Sequence, residues 1–357
     1  MIGINLSGAE FGNAGGRYGW DYIYPSASEL TYYADRGVEL VRLPVKWERL
    51  QPTAGGAIDA EELGHLKQFL ADAQAEGIKV IVDLHNFGFY YNNQLGTPGI
   101  TDAQFADFWK KLATAIGDQP ALAGYDLMNE PHDMAAGAWN SAAQAAVNAI
   151  RQVDTTHQIY VEGESWANAV NWSVINANLN VKDPADKLVY EAHLYFDKWQ
   201  SGTYQGTYEQ EEAYPNVGVD RLQDFVAWLA DHNAKGFVGE FAVPNNDPRW
   251  LDVLDRFLTA LDKAGLDGTY WGGGAWWGNY PMALRNADGA ANPQLGILEH
   301  HIALDHASGG QQAPSLTINH IVGTDAGEYL TGTASADWIE GGAGHDRLTG
   351  GDADDKL

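Results

Sequence analysis

Short apolar runs alternate with longer amphipathic stretches through the first 305 of the chain's 357 residues. The runs predict strands at 2–6, 40–45, 80–85, 123–128, 159–162, 188–193, 237–241 and 269–273, each too short for a helix. Between them, apolar residues recur at helical spacing over 60–76, 102–116, 139–153, 219–234 and 248–264. Arg36-Gly37-Val38, Glu76-Gly77-Ile78 and Lys235-Gly236-Phe237 each read as a glycine helix stop feeding the next strand. Eight strands alternating with helices predict an α/β protein whose parallel sheet closes as a (β/α)8 TIM barrel over residues 1–305. A doubly wound open sheet is the rival fold. It is weakened because no glycine-rich phosphate loop follows the first strand.

The pattern changes after Asp305. Residues 306–322 begin small and polar and read as a linker, and from Gly323 to Leu357 a nine-residue period sets in. Its sixth position holds Glu328, Asp337, Asp346 and Asp355, and its eighth Leu330, Ile339, Leu348 and Leu357. Gly341-Gly342-Ala343-Gly344-His345-Asp346-Arg347-Leu348-Thr349 meets every fixed place of the calcium-binding nonapeptide. Glycine permits the tight turns, the acid offers oxygen to a hard cation, and the apolar eighth residue packs inward. Residues 323–357 are thus expected to form a partial parallel β-roll, with Asp337, Asp346 and Asp355 as candidate Ca2+ ligands.

Composition narrows the partners. The formal charge is −27, from 21 Lys and Arg against 48 Asp and Glu, which disfavours nucleic acid and anionic membranes. A neutral substrate or a cation fits better. No run of about 18 apolar residues suggests membrane insertion. With no cysteine there is no disulfide or thiolate–metal site, and the redox compartment stays open. The start, Met1-Ile2-Gly3-Ile4-Asn5-Leu6, alternates like a strand rather than a signal peptide. Either a leader has been removed or export uses another route.

The candidate chemistry centres on Glu130, in Leu127-Met128-Asn129-Glu130-Pro131, and Glu240, in Val238-Gly239-Glu240-Phe241. Each follows an apolar run that reads as a buried strand, where a carboxylate is costly unless bonded or put to work. Paired carboxylates are the equipment of glycosidic-bond cleavage, although structural ion pairs also bury single acids. In a barrel, residues just past the C-terminal strand ends converge on one face. Arg42, His85, Asn86, Asn129, Glu130, His193, Tyr195, Glu240 and Trp271 all fall at such ends and read as one site. Trp166, Trp276, Trp277, Tyr280, Trp172, Trp20, Phe87, Phe89, Tyr90 and Tyr91 fall in the following loops. Rings in a row suit stacking against sugar C–H faces, although any single one serves packing equally well. Glu162 and Glu164 compete for a catalytic role but lack the Asn-Glu-Pro context.

With these residues in view, 1–305 resembles glycoside hydrolase family 5, specifically its endo-β-1,4-glucanases (cellulases). The resemblance runs through Val41-Arg42-Leu43-Pro44, Asp83-Leu84-His85-Asn86, Tyr125-Asp126-Leu127-Met128-Asn129-Glu130-Pro131, Val161-Glu162-Gly163, Glu191-Ala192-His193-Leu194-Tyr195, Gly239-Glu240-Phe241 and Tyr270-Trp271-Gly272-Gly273-Gly274-Ala275-Trp276-Trp277-Gly278. It implies retaining double displacement on a β-glucan, with Glu130 as acid/base and Glu240 as nucleophile, and needs no cofactor for hydrolysis. It further implies that Arg42 and Tyr195 keep Glu240 charged and that Asn129 binds the sugar 2-OH. His85, His193, Trp271, Trp166, Trp276 and Trp277 are the remaining candidate substrate contacts. The tail is similar to repeats-in-toxin modules, which travel with signal-independent secretion, so an extracellular location is expected; the chain is expected to be a monomer. Mannan, xyloglucan and β-1,3-glucan remain alternative substrates, and a catalytically inactive sugar-binding barrel is the rival from another class. Phe87-Gly88-Phe89-Tyr90 with Asn92-Asn93, and 203–215, depart from the family's loops and leave the cleft shape open.

Overall fold

The computed structural model describes residues 1–307, 319–324, 326–332 and 337–350. Eight parallel strands close into a barrel: β1 Ile2–Leu6, β2 Leu40–Val45, β3 Lys79–Leu84, β4 Leu122–Asp126, β5 Gln158–Glu162, β6 Leu188–His193, β7 Gly236–Phe241 and β8 Asp267–Gly273. Closure comes from β1, which pairs with both β2 and β8. The five helical patterns appear as Ala60–Ala75, Asp102–Ile116, Ala138–Ile150, Val217–Asp231 and Arg249–Lys263. Helices Ala27–Ala34, Trp172–Ile175 and Pro293–Ala307 complete the ring, and none was legible as a strong amphipathic period. The last runs two residues past the expected barrel boundary, and Asp305 Oδ2 accepts the Ile2 N–H at 3.2 Å.

Two of the three glycine stops behave as read. Gly37 and Gly77 have φ of +82° and +75°, the left-handed turn that ends a helix. The third differs. Asn233 takes the left-handed position at φ +47°, and Gly236 instead opens β7. A Cβ at Gly236 would lie 2.2 Å from Leu229 Cδ1, so close helix–strand approach, not capping, requires glycine there.

The strands are buried almost throughout, which is why they read as continuous apolar runs. Their outward residues pack on the helices in one large core that includes Trp47, Trp109, Trp139, Trp172 and Trp250. Leu40, Ile81, Tyr160, Val189 and Phe237 form a separate apolar cluster on alternating strand positions near the N-terminal ends. Two residues further along β2, β3, β5 and β6, that alternation carries Arg42, Asp83, Glu162 and Glu191, all fully buried. An apolar plug thus supports a charged layer, and the cleft opens above it.

The expected ends of two strands are corrected. β3 stops before His85, and β4 stops at Asp126 rather than at Met128. Beyond Asp126 the chain leaves the pleat. The Asn129 N–H still bonds Leu84 O at 2.9 Å, and Glu130 then turns at φ +46°.

In the tail, Asn319–Val322 pairs in parallel with Asp337–Glu340, and Tyr329–Thr331 with Arg347–Thr349. Equivalent strands therefore recur every second repeat, the geometry of a β-roll. Residues 308–318, within the expected linker, lie outside the described residues.

Candidate active site

Arg42 organises the site from below. Fully buried on β2, it lies 3.2 Å from Asp83, 2.7 Å from Asp126, 2.8 Å from Glu162, 3.0 Å from Glu191 and 3.1 Å from Glu240. It also donates to Asn5 Oδ1 and Asn129 Oδ1, each at 3.0 Å. One guanidinium cannot balance five carboxylates in a dry interior, so part of the cluster holds protons. Burial lifts Asp83 to about 8 against the pull of Arg42, with Glu191 and Glu240 adding to the rise. Burial likewise raises Asp126 and Glu162 well above the carboxylate range.

Glu240, at the end of β7, has both oxygens engaged. Arg42 Nη1 donates to Oε1 at 3.1 Å and the Tyr195 hydroxyl to Oε2 at 2.8 Å. Two donors fix the orientation of this carboxylate above the bore. Burial, then the Glu240 charge, raises Tyr195 well above the usual phenol range, so it remains a donor. Glu130 stands opposite, its Oε1 2.8 Å from His193 Nδ1. One oxygen of each glutamate and a His193 nitrogen all lie within 4.8 Å of one another. That closeness suits two carboxylates acting on one anomeric carbon. Burial alone would strip His193 of its proton, but Glu162 and Glu240 outweigh it and raise the imidazole well above its ordinary value.

Above these groups lies a cleft of about 420 Å³, lined by His85, Phe87, Asn129, Glu130, Tyr195, Ser201, Gly202, Thr203, Glu240, Trp271 and Tyr280. Asn129 Nδ2 is buried without a protein partner, a free donor for a sugar hydroxyl. Asp83 orients His85 through Nδ1 at 2.7 Å, and burial lowers its imidazole to about 4, leaving it neutral. The His85 ring lies parallel to Trp271 at 5.4 Å. Trp166, 47% exposed, stacks on His132 at 4.5 Å beyond Glu130.

Several expected substrate contacts are corrected. Arg42 has no exposed surface and acts on Glu240 and Asn129 from beneath. His193, 3% exposed, contacts the glutamates rather than the cleft. Trp277 is half-buried between Tyr280 and Phe11 with its N–H on Gly273 O, a brace for the Trp271 loop. Trp172 and Tyr90 are core residues. Trp276 is exposed but does not line the cleft.

Sequence reasoning missed Asp83, Asp126 and Glu191, whose place inside strands gave no sign that they face one another. It also missed Ser201, Gly202 and Trp199. The loop after β6 is pinned by the buried Asp197 carboxylate, which accepts from Ser201 N and Gly202 N at 3.0 and 2.8 Å. It carries Trp199 at 77% exposure. Asn168 Nδ2, from the Trp166 loop, bonds Gln200 Oε1 at 2.7 Å and ties the two loops together.

In the tail, Asp346 Oδ1 accepts the Glu328 N–H at 2.8 Å, and Glu328 Oε2 accepts the Thr324 N–H at 2.5 Å. A Cβ at Gly342 would lie 2.5 Å from Thr324 O, so only glycine lets these turns stack with their carbonyls together. The donors there are carboxylate and carbonyl oxygens, which fit Ca2+. Glu328 and Asp346 would supply carboxylate oxygens to it. Asp337 lies in its paired strand, whereas Asp355 is outside the described residues.

Comparison with known proteins agrees with this geometry. Residues 322–357 match the RTX calcium-binding nonapeptide repeat. The probable endo-beta-1,4-glucanase B of Aspergillus oryzae is 36% identical over 312 residues, covering 84% of this chain and 90% of its own length. The crystal structure of Pseudomonas stutzeri endoglucanase Cel5A in complex with cellobiose is 40% identical with a TM-score of 0.81, over 84% of this chain and 92% of that one. XacCel5A in complex with cellopentaose is 37% identical with a TM-score of 0.79, over 84% and 98%. Residues 4–278 match the cellulase model of glycosyl hydrolase family 5, and the chain belongs to that family.

Proposed function

We propose that the protein is a retaining endo-β-1,4-glucanase, with Glu240 as nucleophile and Glu130 as acid/base. The observation that carries the reading is the facing pair within 4.8 Å, one carboxylate held by two donors and the other by a single imidazole. Glu240 attacks the anomeric carbon while Glu130 protonates the departing oxygen. Water, activated by the same Glu130, then releases the sugar from Glu240 with its configuration retained. Asn129 Nδ2 is placed for the sugar 2-OH, and Trp271 offers a floor for the ring. Trp166, whose main-chain N–H bonds Pro131 O at 3.3 Å, lies beside Glu130, on the side where the leaving glucan departs. Relatives crystallised with cellobiose and cellopentaose support a β-1,4-glucan as substrate.

The test is a product profile. Cellopentaose should yield internal cleavage products whose new reducing ends are initially β by proton NMR, and carboxymethyl-cellulose should lose viscosity early. Activity confined to galactomannan or laminarin would sink the substrate assignment, and α products would sink the mechanism.

Export from the cell belongs to the proposal and is supported by the repeats at 322–357. Chelating calcium from the full chain should change the circular dichroism of the tail yet leave turnover on carboxymethyl-cellulose within about twofold, because none of the described repeat residues lines the cleft. Unchanged spectra across a calcium titration would refute the metal site. Equal export of a chain lacking 323–357 would refute the tail as the export element.

A further inference from the structure

The acid/base reading leaves Glu162 unexplained. It ends β5, is fully buried and does not line the cleft. Nevertheless it reaches Glu130 by two routes. Glu162 Oε2 accepts the main-chain N–H of Glu130 at 2.6 Å. Glu162 Oε1 lies 3.3 Å from His193 Nε2, while Nδ1 of the same ring holds Glu130 Oε1 at 2.8 Å. One route fixes the backbone of Glu130 and the other fixes its carboxyl.

Both routes matter physically. Glu130 sits at φ +46°, a conformation that non-glycine residues adopt at a cost and keep only where their surroundings enforce it. The Glu162 bond to its N–H supplies that enforcement. With Oε1 pinned by His193, the other carboxyl oxygen is left to carry the proton toward the leaving group. The ring that pins it faces Glu162 Oε1 across 3.3 Å, an ion-pair contact without hydrogen-bond geometry. Glu162 is rigid enough for this, because Arg42 Nη2 donates to Oε1 at 2.8 Å and the Trp139 indole donates to its main-chain oxygen at 2.6 Å.

From this geometry we infer that Glu162 is the positioning residue of the acid/base, clamping Glu130 through its main chain and, by way of His193, through its carboxyl. The inference rests on the assignment of Glu130 as acid/base. It concerns the step in which the Glu130 proton moves to the glycosidic oxygen as the bond from that oxygen to the anomeric carbon breaks.

The test compares substrates that need this proton with one that does not. A dinitrophenolate leaves without protonation, whereas a sugar alkoxide does not. Glu162→Gln keeps the shape but has one acceptor oxygen where Glu162 uses two, Oε1 for Arg42 and Oε2 for the Glu130 N–H, so the hold on Glu130 is weakened. Its kcat/KM on cellopentaose should fall by about 30- to 100-fold, with KM little changed, whereas on 2,4-dinitrophenyl β-cellobioside it should stay within about threefold. Glu162→Asp keeps both carboxyl oxygens but draws them back by a methylene, and should show the same split if Glu162→Gln folds poorly. Equal losses on both substrates mark a general packing role and overturn the inference, as does no loss on either. Glu130→Ala is the control. If it too shows no split, the acid/base assignment fails rather than the clamp.

Discussion

Glu240→Gln is expected to lower turnover on carboxymethyl-cellulose by about 10⁴-fold or more, with the melting temperature close to that of the native chain. The size follows from losing the covalent step, since an amide cannot replace the carboxylate as nucleophile. The fold survives because the amide oxygen still accepts from Arg42, and the Tyr195 hydroxyl, now the donor, can become the acceptor from the new amide. Azide separates the two glutamates. In Glu240→Ala, azide would enter from the nucleophile's face and give an α-glycosyl azide from an aryl cellobioside. In Glu130→Ala, it would intercept the intermediate on Glu240 and give the β-azide. Identical azide products from both variants, or a Glu240→Gln enzyme that retains a tenth of its turnover (roughly 1.4 kcal/mol), would refute the assigned roles.

The second large effect concerns stability. Replacing Arg42 by Met would leave five buried carboxylates without their cation, a loss of about 3–5 kcal/mol near neutral pH. Even with Arg42 present the cluster makes stability depend on pH, and the sign follows from the shifts. Asp83 is raised to about 8 in the fold, so the stability it contributes is full below its unfolded value near 4 and is lost as pH climbs toward 8. His193, also raised, adds a loss in the same direction. Asp154 and Asp183 act oppositely. Burial would lift both, but hydrogen bonds from Tyr125 and Thr156 hold Asp154 low, and Arg151 holds Asp183 low. Their contribution is present above the ordinary carboxylate range and is lost as pH falls below it. Melting temperature should therefore peak at roughly pH 4–6 and decline toward pH 8. Asp83→Asn should flatten that decline. A melting temperature still rising between about pH 6 and pH 8 would contradict the charge state assigned to the bore.

Much of the candidate site was legible because its residues sit at strand ends in short motifs. Glu130, Glu240, Asn129, His85, Tyr195 and Trp271 line the cleft where barrel topology places them. The errors share one cause. Arg42 and His193 also follow from the motifs, but whether such a residue faces substrate or another side chain depends on its depth in the bore. The aromatic loops show the same limit. Trp166, Trp172 and Trp277 look alike in the chain, yet one is exposed beside the cleft, one lies in the core and one braces a neighbouring loop.

The sequence alone determined the alternation of elements, the two glutamate motifs and the nonapeptide period, because these depend on local periodicity and on residues near in the chain, and the barrel's closure, which pairs the first strand with the last, was its expectation. Tertiary structure alone decided the charged layer. Asp83, Asp126, Glu162 and Glu191 come from four different strands and meet only because the barrel brings their inward positions to one level around Arg42. Their shared protons and the double hold on Glu130 are properties of distances across the bore, which no spacing along the chain encodes.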